Sequence, residues 1–382
     1  MALAGTARRV GSAYRAARDA LSLPALRFPV VIFHSDDWGR TGAPDLNAVL
    51  DLQAHHALEV SPWNLYGLET RDDLERLSEL LSRFRDSRGE TPRFVANFIT
   101  ANLELRKMLR EGFKTLHLLQ VSQGFPDPWH ENLAGTYREM VARRIFVPGF
   151  HGFTHFCYQT YARHMRAGTE LGQRIRLLAE RDIPYLAQCT PELNFALVER
   201  LPDVEERFLK SAEQAEWMDR GLSAFRDLFD RSPLTACFPG YRGNQNSVQL
   251  LTARGARIFQ WSGLGIPAVR DGAWHLYRNL SFEPALNSFD LDQAVSRAEA
   301  LVEAGVPIII CSHSINYLQR HTGMRERSLF LLETFLAALL SRLPDVRFSD
   351  DEEYVAALEA RLDDWCSTPT VAQVHARVKL MR

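Results

Sequence analysis

Lysine is scarce in this chain: of its 45 basic residues only Lys107, Lys114, Lys210 and Lys379 are lysines, and arginine supplies the rest. An excess of either charge is also missing. The formal net charge of -2 gives no electrostatic drive toward nucleic acid, and the preference for arginine reads as compositional bias, not phosphate recognition. Cysteine is sparse too, with Cys157, Cys189, Cys237, Cys311 and Cys366 widely spaced, odd in number and without a Cys-x-x-Cys pair. That argues against a disulfide framework and fits reduced thiols in a cytoplasmic protein. Cys311 reads as a small buried residue.

No apolar run approaches the roughly 18 residues of a membrane span. The amino end, MALAGTARRVGSAYRAARDALSLPALRF, alternates small, apolar and Arg residues and lacks the unbroken apolar core of a secretory leader. It reads as a helix packed against the domain, with a membrane-surface helix as the alternative. Internal repeats, low-complexity tracts and Gly/Ser linkers are missing as well, so 382 residues are expected to form one large domain with extensions.

What the chain has is alternation. Short Val/Ile/Phe-rich runs at 28–34, 92–98, 183–189, 235–240, 256–261 and 306–313 read as strands. Amphipathic stretches at 71–85, 131–144, 203–230, 290–304 and 324–342 read as helices between them. Strands alternating with helices imply an α/β fold with a parallel sheet. The expected organisation is a helical extension over 1–27, a barrel over 28–356, and a helix with a loosely held tail over 357–382. The loop 121–133, rich in aromatic residues and proline, is either a pocket roof or a packed connection.

Polar residues collect after the apolar runs. Asp36-Asp37 follows the first, YRGNQN the fourth, Trp261 the fifth, and Cys311-Ser312-His313-Ser314 the last. The carboxyl ends of parallel barrel strands converge on one mouth, so these groups are expected to share a cleft. His151 and His155 stand four apart in PGFHGFTHF. On a helix starting there, both imidazoles would share a face and could take one metal ion, with a strand-end carboxylate completing a two-His-one-carboxylate site.

Together these motifs resemble the polysaccharide deacetylase superfamily, the NodB-homology carbohydrate esterases. Asp36-Asp37-Trp38-Gly39 is similar to its Asp-Asp-Gly motif, His151-Gly152-Phe153-Thr154-His155 to its His-x-x-x-His motif, and IIICSHS with His313 to its last motif. SDDWG is also similar to sugar deacetylases of the YdjC type. The resemblance implies an irregular (β/α) barrel of about seven strands. It implies a divalent metal, most simply zinc, on Asp37, His151 and His155, with Asp36 as general base and His313 as general acid. FPGYRGN departs from the family's Arg-before-Pro-Tyr-Gly order; the implied counterparts are Arg242, orienting the base, and Tyr241, whose backbone N–H would serve the oxyanion. RIFQWSG keeps only Trp261 of the fourth motif, leaving Glu283 or Asp290 to orient the histidine. His34, Trp38, Trp261 and Asn316, with Tyr241 and Glu283, are the expected sugar contacts.

The implied activity is metal-dependent removal of an N- or O-acyl group from a sugar or glycan. Two alternatives stay open. One is a glycoside hydrolase using Asp36 and Glu283 on the same barrel; the other is a carbohydrate-binding protein without turnover.

Overall fold

Val30-Val31-Ile32-Phe33 has no polar alternation, as expected of a parallel strand covered on both faces. In the computed structural model, which describes residues 18–56, 61–201, 204–263, 265–286, 289–319 and 324–381, this run begins strand β1, Val30–Trp38, with every residue buried. The other strands of the central sheet are β2 (Phe94–Ile99), β3 (Phe146–Gly152), β4 (Thr235–Ala236), β5 (Ile258–Ser262), β6 (Ala273–Arg278), β7 (Leu280–Ser281), β8 (Ile308–His313) and β9 (Arg347–Ser349), with a short strand, Ala268–Arg270, antiparallel to β6 at the edge.

The pairing runs in a circuit. β1 pairs with β2, β2 with β3, β3 with β4, β4 with β5 and β5 with β6, all parallel. After Asn279 the chain resumes as β7, which pairs with β8, and β8 pairs with β1. Asn279 makes the joint: its backbone N–H donates to Ile309 O at 3.0 Å, its amide donates to Pro307 O at 2.9 Å, and its Oδ1 accepts from Ile309 N–H at 2.9 Å. With β6 and β7 taken as one bent strand, the ring has seven positions, which is the irregular barrel expected. β9 lies outside it, paired to the first residues of β1.

Helices cover the outside. Arg71–Leu81 starts at a capping box between Thr70 and Asp73, and Ser211–Phe229 presses Trp217 and Phe225 onto Phe150 of β3. Leu291–Glu303 and Met324–Arg342 fall where the periodicity predicts. Among the described residues no helix is long and apolar enough to cross a membrane.

Several expectations change. Residues 183–189 form no strand; they run as irregular chain and a turn. The helix read over 203–230 begins only at Ser211, because Val204–Phe208 pairs with Val198–Leu201 as a hairpin. β3 and β6 were not among the expected strands. Of the amino-terminal extension, residues 1–17 lie outside the described residues. The carboxy-terminal tail is not loose: Val371–Leu380 is a helix, and its buried Arg377 donates to the carbonyls of Ala20, Leu23, Pro24, Ala304 and Gly305.

Candidate active site

Neighbours on a regular strand face opposite ways, so two adjacent carboxylates cannot both enter one cleft. β1 resolves this with a bulge. Ser35 pairs with Ala96 and Trp38 with Phe98, so three steps on β1 match two on β2. Asp37 is the residue bent out of register, with φ 71°, and its carboxylate joins that of Asp36 at the mouth. β3 repeats the device: Phe98 pairs with Phe150 but Ile99 with Gly152, which leaves His151 on a second bulge. Gly152, φ 119°, follows; a Cβ there would meet the Trp217 ring at 2.1 Å. The His-x-x-x-His segment is therefore a strand end and a loop, not a helix.

The three expected ligands do meet. Nε2 of His151 and Nε2 of His155 each lie 3.4 Å from Asp37 Oδ1. That oxygen is buried without a hydrogen-bond partner, while Asp37 Oδ2 accepts from Arg40 at 2.9 Å. His151 Nδ1 is 2.7 Å from Cys237 O, which can only accept, so Nδ1 carries the proton and Nε2 presents its lone pair. His155 Nδ1 lies 2.7 Å from the Tyr185 hydroxyl, which can hold it in the same tautomer. Burial and the charge of Arg40 hold the His155 pKa well below its ordinary value. For Asp37, burial would raise the pKa, but Arg40 and the imidazoles hold it well below the carboxylate range. Two ligands about 2.1 Å from one ion at a tetrahedral angle stand about 3.4 Å apart, so donor types, spacing and the orphaned oxygen fit a divalent cation.

Asp36 is fixed from several sides. Arg278 donates to both of its oxygens at 2.6 Å and Asn97 donates to Oδ1 at 2.8 Å. Burial opposes its charge, yet Arg278 and the nearby histidines hold its pKa below the usual range. Gln260 completes the frame, accepting from Arg278 and Asn97 at 2.7 Å and donating to Asp351 at 2.8 Å. His313 at the end of β8 places Nδ1 2.6 Å from Glu283 Oε1 and Nε2 3.9 Å from Asp36 Oδ2. Burial disfavours the imidazolium, but Glu283 above all, then Asp36, push its pKa up to about 9.

Asp36, Asp37, His151, His155, Glu283 and His313 border a cavity of about 530 Å³ whose walls include Trp63, Tyr66, Tyr185, Phe195, Tyr241 and Leu286. Two further donor groupings, Asp36–His151–Cys237 and Glu283–Cys311–His313, also converge. In these Asp36 is engaged by Arg278, and Glu283 by His313 and Asn316.

Other expected contacts sit elsewhere. Arg242 does not reach Asp36: it pairs with Glu206 at 3.2 Å and covers the Phe195 ring. The Tyr241 backbone N–H, expected at the oxyanion, donates to Phe238 O at 2.7 Å within its own turn. His34 is wholly buried against Asp351 at 2.6 Å, because its place on β1 faces the barrel interior. Trp38 is buried between Phe146 and Tyr317. Trp261 stacks on His275 and donates to its Nδ1, while its neighbour Ser262 borders the cavity. Asn316 holds Glu283 Oε2 at 2.7 Å and does not border the cavity. Asp290 caps a helix by accepting from Gln293 N–H. Loop 121–133 helps wall a separate cavity of about 110 Å³.

Sequence reasoning missed Arg278, Arg40, Tyr66 and Tyr185. Arg278 had a usable signal, as the last residue of a short run, AWHLYR, that ends like the other mouth-bearing strands. Arg40 directly follows the Asp36–Gly39 motif and Tyr185 lies in the run 183–189, whereas Tyr66 comes from a segment outside every motif.

No protein-family model matches the sequence, and no curated protein matches it. Solved structures similar to the chain include a protein from Mycobacterium smegmatis named as a polysaccharide deacetylase (13% identity, 92% of this chain and 96% of that one, TM-score 0.46). Another is the Xyl-CE4 domain of a multidomain xylanase from the hindgut metagenome of Trinervitermes trinervoides (11%, 90% and 95%, TM-score 0.39). A third is a CE4 family pseudoenzyme from Bacillus anthracis (9%, 86% and 65%, TM-score 0.38).

Proposed function

We propose that the chain is a metal-dependent hydrolase that removes an acyl group, acetyl in the simplest case, from an amino or hydroxyl group of a sugar. The observation carrying this reading is the unpartnered Asp37 Oδ1, 3.4 Å from two imidazole Nε2 atoms, in a cavity that also holds a tethered carboxylate and a carboxylate-paired histidine. Asp37, His151 and His155 would hold the ion, with zinc favoured by the imidazole ligands. When bound, such an ion lowers the pKa of a water and polarises an acyl carbonyl.

Asp36 accepts the water's proton. Its two contacts from Arg278 keep the carboxylate ionised and oriented. His313, protonated at neutral pH, donates from Nε2 to the departing nitrogen or oxygen, and Glu283 fixes its orientation through Nδ1. The aromatic walls suit the faces of a sugar ring. Five free cysteines, four of them buried, suit a reducing, cytoplasmic location.

The glycoside hydrolase alternative needs Asp36 and Glu283 facing each other across a bond. The His313 ring stands between them, which favours acyl transfer. Acetate release from a panel of N- and O-acetylated sugars by zinc-loaded protein tests the proposal, with His155→Ala as the control. Release that tracks metal content supports it. Zinc content unchanged in His155→Ala, or a loaded protein inert on the whole panel, refutes it.

A further inference from the structure

Acyl transfer concentrates negative charge on one oxygen. As water adds to the acyl carbon, a carbonyl electron pair moves onto that oxygen, and a fixed donor aimed there lowers the barrier. In the turn after β4 the backbone N–H groups of Tyr241 and Arg242 are spent on Phe238 O at 2.7 Å and Pro239 O at 3.1 Å. The Tyr241 hydroxyl is engaged by Arg278 at 2.8 Å.

The Tyr66 hydroxyl borders the cavity, is buried, makes no hydrogen bond of ordinary geometry and faces Asp37, whose charge adds to burial in raising its pKa well above the usual phenol value. Leaving a buried hydroxyl unpaired is costly, so the surroundings must compel its position. They do. The Arg40 guanidinium lies 4.2 Å from the Tyr66 ring centroid, and Trp63 stacks at 5.9 Å with an interplanar angle of 19°. The backbone is pinned as well, with Ala43 N–H donating to Tyr66 O at 2.8 Å. Both neighbours lead to the reacting groups: Arg40 donates to Asp37 Oδ2 at 2.9 Å, and the Trp63 and His313 rings meet at a near-right angle with centroids 5.3 Å apart.

We propose that Tyr66 is a catalytic residue whose phenolic O–H donates to the oxyanion formed from the substrate's acyl carbonyl, a role that rests on the acyl-transfer reading above. The donor thus comes from the loop before Arg71–Leu81 and from none of the sequence motifs. Tyr66 keeps its proton throughout and forms no covalent bond.

The test is Tyr66→Phe in the full chain, loaded with zinc. The variant removes only the unpaired hydroxyl, so its Tm should equal or exceed the parent's; a structural hydroxyl would lower it. Acetohydroxamate, which presents a carbonyl oxygen to a metal site, should bind the variant at least tenfold more weakly by calorimetry, with zinc content unchanged. On any acetylated sugar the parent turns over, kcat should fall about 10²-fold with KM little altered. Acetohydroxamate affinities within threefold of each other, no binding by the parent, or a lowered Tm would overturn the assignment. A parent that discriminates acetohydroxamate in this way but releases no acetate would retain the Tyr66 donor while refuting the deacylase reading.

Discussion

Arg278 grips Asp36 at two points, Nη1 to Oδ2 and Nη2 to Oδ1, each at 2.6 Å and almost wholly out of solvent. Breaking a buried pair from one side strands the other charge, at a cost of about 3–5 kcal/mol. Arg278→Met should lose about that much unfolding free energy in urea at pH 7. The double variant Arg278→Met/Asp36→Asn should recover part of it, since the stranded charge is then gone.

The His313–Glu283 contact predicts the alkaline limb of the rate profile. His313 is raised to about 9, so the acid is present below that pH and lost as pH rises through it. Glu283→Gln removes the largest upward influence, and the limb should move toward the ordinary histidine value near 6.5. The same displacement should appear in an NMR titration of the His313 ring, which needs no turnover.

Glu69 predicts a stability slope. It is fully buried, accepts from Gly39 N–H at 2.8 Å and from the Tyr137 hydroxyl at 2.6 Å, and burial pushes its pKa up to about 7. Between about 4.5 and 7 the unfolded chain is deprotonated at this residue while the folded chain is not. Folding therefore loses stability as pH rises through that window, by about 3 kcal/mol in all. Glu69→Gln should abolish this component, making the variant relatively more stable than the parent at pH 8 than at pH 5, as read from urea midpoints.

Tyr185 holds Nδ1 of His155 at 2.7 Å. Losing such an outer contact typically weakens metal affinity about 10–100-fold. Tyr185→Phe should show that loss in a zinc competition titration, with the circular dichroism spectrum unchanged.

The sequence reveals strands best where they are continuously apolar, as in β1 and β8, whose ends carry Asp36, Asp37 and His313. β3 is disguised by Pro148-Gly149, which reads as a turn; in place, Gly149 lets the Asn97 side chain pass, a Cβ there meeting it at 2.1 Å. The spacing of His151 and His155 suggests a helix, but Gly152 at φ 119° cannot continue one. The apolar look of 183–189 suggests a strand; what it supplies instead is Tyr185. Arg278 and Tyr66 were hidden for a different reason: each acts through a partner more than 20 residues away, and only the closed circuit of strands brings them together.

β1 and β3 each carry one residue more than their pairing with β2 requires. Strand length is thus a chemical determinant in its own right. A regular ladder from Ser35 to Trp38 would turn the carboxylate of Asp37 into the wall, so the extra step on β1 is what lets two neighbouring acids serve a single mouth.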